Sequence, residues 1–109
     1  MFNVDPDFER LKIAFMNLNS FRNLVYNDAV NHGLWTGRET MGEIVGLIRD
    51  EVRELECAVT RENFTEELAD VIIMSLSVAG HLGIDIDAAV REKIKINEGR
   101  PWRHEEVNK

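Results

Sequence analysis

Cysteine occurs once, at Cys57, so no internal disulfide can form. Proline occurs twice, at Pro6 and Pro101, near the two ends of the 109-residue chain. Nothing therefore interrupts backbone regularity across the interior, which favours helices. Long apolar runs are missing: none is longer than Val71 to Met74, which stops at Ser75, far short of the roughly 18 residues that span a bilayer. Nor does the N-terminus carry a basic segment followed by an apolar stretch of the export type. Positive charge is in deficit, with 13 Lys and Arg against 20 Asp and Glu, and the formal charge of −7 repels a phosphate backbone. These absences predict a soluble, cytoplasmic protein with neither a membrane nor a polymeric nucleic acid as partner. The length, with 44% hydrophobic residues to fill one core, suits a single domain over residues 1–109.

What is present is helical spacing. Asp5-Pro6 reads as a cap with proline at the first helical position, and Phe8, Leu11, Phe15, Leu18, Val25 and Ala29 follow at helical intervals to His32-Gly33. A first helix is expected over 6–31, with its aromatic residues in the core. Thr40 with Glu43 forms a capping box, and Met41, Ile44, Ile48, Val52, Leu55 and Val59 trace one apolar stripe, predicting a second helix over 41–60. Asn63 with Glu66 repeats the capping pattern, and Phe64 to Leu82 reads as a third helix closed by Gly83. That helix is apolar nearly all round, which puts it at the centre of a bundle shared with a second subunit. Asp85 caps a fourth helix, 86–98, ended by Gly99 and Pro101. The expected fold is all-α, a four-helix bundle whose second and third helices form a tight antiparallel hairpin.

Glu51 and Glu54 on the second helix, and Glu67 and Asp70 on the third, are each spaced i, i+3 and project from one helix face. In an antiparallel pair, residues at equal depth have a constant sum of residue numbers. Glu54 with Glu67 and Glu51 with Asp70 share that sum, so the four carboxylates should meet as two facing rungs. Glu51 and Glu67 lie at the edge of their apolar stripes, and Glu54 and Asp70 about 60° further out. Each pair of like charges at 4 Å costs about 1 kcal/mol in water and about 4 kcal/mol at an effective dielectric of 20 unless a cation intervenes. Oxygen-only donors select Mg²⁺, with Mn²⁺ as the substitute, over Zn²⁺. His81 shares this flank but lies roughly 16 Å beyond Asp70 by helical rise, too far to be a ligand. A solvated face is the ordinary reading of a lone E-x-x-E. The rung match and the lack of balancing Lys or Arg, apart from an outward Arg53, set a metal site beside it as an equal reading.

E-x-x-E followed by E-x-x-D, here Glu51, Glu54, Glu67 and Asp70, resembles the metal motif of the MazG-like all-α nucleotide pyrophosphohydrolases, a family with dimeric dUTPase and dCTPase relatives. The likeness extends through His32-Gly33-Leu34-Trp35, Leu47-Ile48, Glu67-Leu68-Ala69-Asp70-Val71, Gly83-Ile84-Asp85, Lys93, Asn97, Arg100-Pro101 and His104. It implies Mg²⁺-dependent cleavage of a nucleoside triphosphate, of the dNTP type, to the monophosphate and pyrophosphate, in nucleotide-pool house-cleaning. It further implies four carboxylate ligands, with Glu51 and Glu54 as the catalytic pair, and assembly as a homodimer or homotetramer. Lys93 and Asn97 match the triphosphate-contacting positions, with Arg100 just beyond them. Asp50 departs from the pattern, since many members carry a second glutamate there, and this leaves open which carboxylate orients the water.

Trp35 has two readings, a stacking platform for the base or a cap on the end of the core. Trp102 reads as packing of the C-terminal segment, His32 as a helix-end residue favoured by the dipole, and His104 as a surface or subunit contact. Met74 reads as core, and Cys57 has no setting for a redox role. Two other functions compete: a phosphoribosyl-ATP pyrophosphohydrolase, and a helical interaction module whose acids only solubilise it. A di-iron bundle is disfavoured because E-x-x-H occurs nowhere.

Overall fold

The computed structural model describes residues 17–101, and within them the chain is all-helical. The helices are α1 (Leu18–Asn31), α2 (Met41–Glu56), α3 (Arg61–His81) and α4 (Ile86–Glu98). The Asp5-Pro6 cap, Phe8, Leu11, Phe15, Trp102 and His104 lie outside the described residues.

Helix starts follow side-chain capping more closely than apolar spacing. The first helix does not run unbroken from residue 6. Asn17 is extended (φ −140°, ψ 179°), its side chain accepts the Ser20 N–H, and α1 begins at Leu18. The apolar rhythm of Phe15 and Leu18 runs across this break and conceals it in the sequence. The capping box at α2 is present, with Thr40 Oγ1 accepting the Glu43 N–H and Glu43 Oε1 accepting the Thr40 N–H, both at 3.1 Å. α2 ends at Glu56 instead of reaching residue 60, because Thr60 is taken as the cap of the next helix. Thr60 Oγ1 accepts the Asn63 N–H at 3.0 Å, so Asn63 is the capped residue and not the cap, and α3 starts three residues earlier than expected. α4 has the expected bounds, with Asp85 accepting the Ala88 N–H.

α3 is central, packing against α1 on one side and α2 on the other, while α4 rests on α1. The α1–α3 seam is close: a Cβ at Gly80 would fall 2.6 Å from Tyr26 Cβ, so only glycine admits this approach. α1 and α4 cap each other reciprocally. The Asn19 side chain accepts the Ile86 and Asp87 N–H groups, and Asp87 accepts the Leu18 N–H.

Among the described residues the buried apolar side chains are few: Ile44, Leu76, Val78 and Ala79. Phe21, expected in the core, is 44% exposed, and Phe64, Leu68 and Ile72 form an exposed i, i+4, i+8 stripe along α3. One chain does not cover its central helix. No single described helix is long and apolar enough to cross a membrane.

Candidate metal centre and nucleotide site

The α2–α3 hairpin brings Glu51, Glu54, Glu67 and Asp70 together. One carboxylate oxygen from each lies within 4.8 Å of all the others. Glu51 and Glu67 are half-buried and Glu54 and Asp70 exposed, the depth order that their positions beside the apolar stripes require. The electrostatics are those of an unneutralised cluster. Burial, then the charges of Glu54 and Asp70, push the Glu51 carboxyl above its ordinary range. Burial and then Glu54 do the same to Glu67. Glu67 Oε2 is buried and accepts no hydrogen bond from a described residue. Arg53 offers no relief, since it lies 3.8 Å from Asp50, with both side chains 68% exposed. Asp50 thus sits outside the cluster, paired on the surface. A buried oxygen without a donor, among four carboxylates gathered across the hairpin, fits a hard divalent cation held by carboxylates alone.

The other end of the hairpin holds a second polar group, in which Trp35, a residue marked in the sequence, is joined by Glu39, Ser77 and His81, which were not assigned to it. Glu39, just before α2, accepts the Thr36 and Gly37 N–H groups and the Thr36 hydroxyl. These bonds, the Thr36 amide first, hold its carboxyl down at about 2. His81 Nε2 lies 3.4 Å from Glu39 Oε2. The Trp35 indole stacks on the His81 ring, with centroids 4.0 Å apart and planes within 8°, and Trp35 Nε1 donates to Ser77 Oγ at 3.0 Å. Two signals for this group were present in the sequence. Thr36 and Glu39 have side-chain capping spacing, and Thr40 and His81 share the residue-number sum of the carboxylate rungs, which places them at one depth.

Between α1 and α3, beside Leu34, opens a cavity of about 440 Å³. Ile73, Met74 and Ser77 line it from α3, and Asp28 lines it from α1. Met74, expected in the core, is half-buried and lines this cavity. His32 ends α1 as expected, its N–H on the Asp28 carbonyl. Lys93 and Arg100 are exposed, and Asn97 is half-buried with Oδ1 buried and unpartnered among the described residues. Because α4 rests on α1 and not on the hairpin, these three are not gathered into the carboxylate cluster.

The MazG-like family model matches residues 39–109, a stretch that contains the whole hairpin and α4. This chain belongs to the MazG-like family. A dATP/dGTP diphosphohydrolase of Cyanophage S-2L is 39% identical over 71 residues, which are 65% of this chain and 66% of that protein. A dATP/dGTP diphosphohydrolase of Salmonella phage PMBT28 is 41% identical over 64 residues, 59% of this chain and 21% of that protein. The chain therefore matches just under two thirds of the first relative and about a fifth of the second. No solved structure matches it.

Proposed function

We propose that this chain is a Mg²⁺-dependent nucleoside triphosphate pyrophosphohydrolase that converts purine deoxynucleotides, dATP and dGTP, to the monophosphate and pyrophosphate. The observation that carries the reading is the meeting of four carboxylate oxygens within 4.8 Å across the hairpin, one of them buried without a donor. Family membership and the dATP/dGTP diphosphohydrolase activity named for the two phage relatives support the substrate class.

Glu51, Glu54, Glu67 and Asp70 would hold Mg²⁺, with Mn²⁺ as the substitute. When bound, the ion supplies charge neutralisation for the phosphates and acidifies a water. Of the catalytic pair, Glu51 and Glu54, one carboxylate would take a proton from the attacking water while the other orients it. The water oxygen bonds to the α-phosphorus as the bond from that phosphorus to the bridging oxygen breaks, and pyrophosphate leaves with the electron pair. Lys93 and Asn97 on α4, and Arg100 just beyond it, lie away from the carboxylates of their own chain and would contact the β and γ groups, which the product lacks, at the site of a second copy. The nucleobase lodges in the α1–α3 cavity, with Trp35 behind its Ser77 wall.

The exposed Phe64, Leu68 and Ile72 stripe supports assembly with a second copy as a homodimer or homotetramer, with α3 at the interface. Clearing unwanted deoxynucleotides from the cytoplasmic pool is the role this chemistry serves. The test is pyrophosphate release from each dNTP and NTP, with Mg²⁺ and with excess chelator. Release of pyrophosphate from dATP and dGTP, lost on chelation, is expected. Release of orthophosphate instead, or no cleavage of any nucleotide, overturns the reading.

A further inference from the structure

The cavity between α1 and α3 lies along the same helix face as the carboxylate cluster. Taking 100° per residue, Ile73, Met74 and Ser77 straddle the azimuth of Asp70, and they sit about 4.5 to 10.5 Å further along the axis. A nucleotide whose phosphates lie at Asp70 therefore extends its base over these three residues. The volume of about 440 Å³ falls within the roughly 300–1,000 Å³ of small-molecule pockets.

Its walls are apolar except at two points. Ser77 is 3% exposed, and its Oγ is already an acceptor for Trp35 Nε1. Among the described residues the hydroxyl proton goes to no acceptor, whereas Ser75, two residues earlier, gives its proton back to the Val71 carbonyl. Trp35 occupies one of the two lone pairs on Ser77 Oγ and leaves the hydroxyl proton to be donated at the floor of the cavity. Asp28 is a pure acceptor at its mouth. His32 Nδ1 lies 3.5 Å from Asp28 Oδ1 and 2.8 Å from the Asp28 carbonyl, which ties the carboxylate to the end of α1 while the side chain stays 74% exposed.

A donor at the floor and a carboxylate at the mouth match one base better than the others. We propose that Asp28 is a specificity-determining residue that selects guanine by accepting its N1–H and N2–H, while Ser77 donates to the N7 edge that all purines share. Adenine presents an acceptor at N1 to the same carboxylate and loses the pairing, and hypoxanthine keeps N1–H but lacks the second donor. The proposal rests on the pyrophosphohydrolase reading for the placement of the phosphates. It commits the cavity to a nucleobase and not to a second copy of the chain, because an apolar partner would leave the Ser77 proton and the Asp28 carboxylate facing carbon.

The experiment compares kcat/KM for dGTP, dITP, dATP and dCTP between the wild-type chain and Asp28→Asn, and measures binding of dGMP and dAMP by calorimetry. Asp28 is a surface residue and asparagine is isosteric, so the fold is retained, as circular dichroism would verify. The wild type should rank dGTP above dITP above dATP. Asp28→Asn should lower kcat/KM for dGTP by on the order of 10- to 150-fold, lower dITP less, and leave dATP level or raised. An equal change for all four nucleotides, or no change, overturns the assignment of Asp28 and leaves the pyrophosphohydrolase reading standing. Asp28-dependent binding of dGMP over dAMP with no cleavage of any triphosphate leaves the base site standing and overturns the reaction. Loss of both cleavage and base-selective binding in the wild type overturns the two together.

Discussion

Glu39 and the pair Glu51 and Glu67 are glutamates on one hairpin with opposite surroundings. Glu39, at the open end, receives three donors from Thr36 and Gly37, and its carboxyl is held down at about 2. Glu51 and Glu67, at mid-length, face other carboxylates and are pushed up, and Glu67 keeps a buried oxygen without a partner. Net charge does not explain the difference, since both regions are acidic. One carboxylate is solvated by the fold itself and ties the entry loop to the start of α2. The others are left for something the fold does not supply, and such groups mark a ligand site more sharply than any count of acidic residues.

The sharpest way to break this contrast is kinetic. Glu51→Gln or Asp70→Asn should lower kcat by on the order of 10²-fold or more at saturating dGTP, because each removes charge that the transition state requires. Glu39→Gln, with its carboxylate already spent on loop amides, should leave kcat within a few-fold of wild type. An equal loss from all three would show that the two environments do not separate catalysis from structure. Lys93→Ala should act on binding, raising KM by roughly 10- to 150-fold through loss of a charge-assisted contact with the β and γ groups. A change confined to kcat would remove Lys93 from that role.

The carboxylate cluster was legible from the sequence because two rules met: i, i+3 spacing puts paired acids on one face, and constant residue-number sums set facing depth in an antiparallel hairpin. That arithmetic tolerated errors in the helix ends. It held although α2 stopped at Glu56 and Thr60, not Asn63, capped α3, since the true turn at 57–60 still lies near the same midpoint. The open end was less legible because its contacts join residues far apart in the chain. Trp35 meets Ser77 across 42 residues of chain, and the α1–α3 approach at Gly80 and Tyr26 lies beside the His81 that meets Glu39. Trp35 could be marked as a large indole needing cover. That His81 provides one face of that cover depends on how the loop after α1 folds back, which no periodicity encodes. The start of α1 was missed for a related reason, since an apolar rhythm continues through Asn17, whose side chain caps the helix that begins at Leu18.

A thermodynamic version of the contrast uses metal. Repulsion among the four carboxylates is relieved by a cation or by protonation, so Mg²⁺ should raise the Tm of the wild type, in proportion to the logarithm of its concentration above Kd. The double variant Glu54→Gln with Glu67→Gln removes two of the repelling charges. It should be more stable than wild type without metal and lose the Mg²⁺ response, as differential scanning fluorimetry across a Mg²⁺ series would show. A double variant that still responds like wild type would mean the ion binds elsewhere.

The smallest expected effect is on the pH dependence of metal-free stability, where the two environments act with opposite sign. A carboxyl whose folded pKa is raised holds its proton more tightly in the folded state, so Glu51 and Glu67 stabilise progressively as pH falls from neutrality into their raised range. A carboxyl whose folded pKa is lowered does the reverse. Glu39 contributes stability that is present above its ordinary value of 4.5 and is lost as pH falls toward about 2. Asp85, lowered chiefly by the Ala88 amide it caps, and Asp87, lowered chiefly by Arg91, add to the same acid limb. The metal-free Tm should therefore rise as pH drops below neutrality, pass a maximum, and fall below about pH 4.5. Glu39→Gln should shrink the acid limb, leaving the part due to Asp85 and Asp87, and should not touch the rise. The Glu54→Gln, Glu67→Gln variant should flatten the rise and keep the acid limb. If Glu39→Gln leaves the acid limb at full size, the Thr36 and Gly37 bonds do not hold that carboxylate in solution, and the contrast between the two ends of the hairpin fails at its satisfied end.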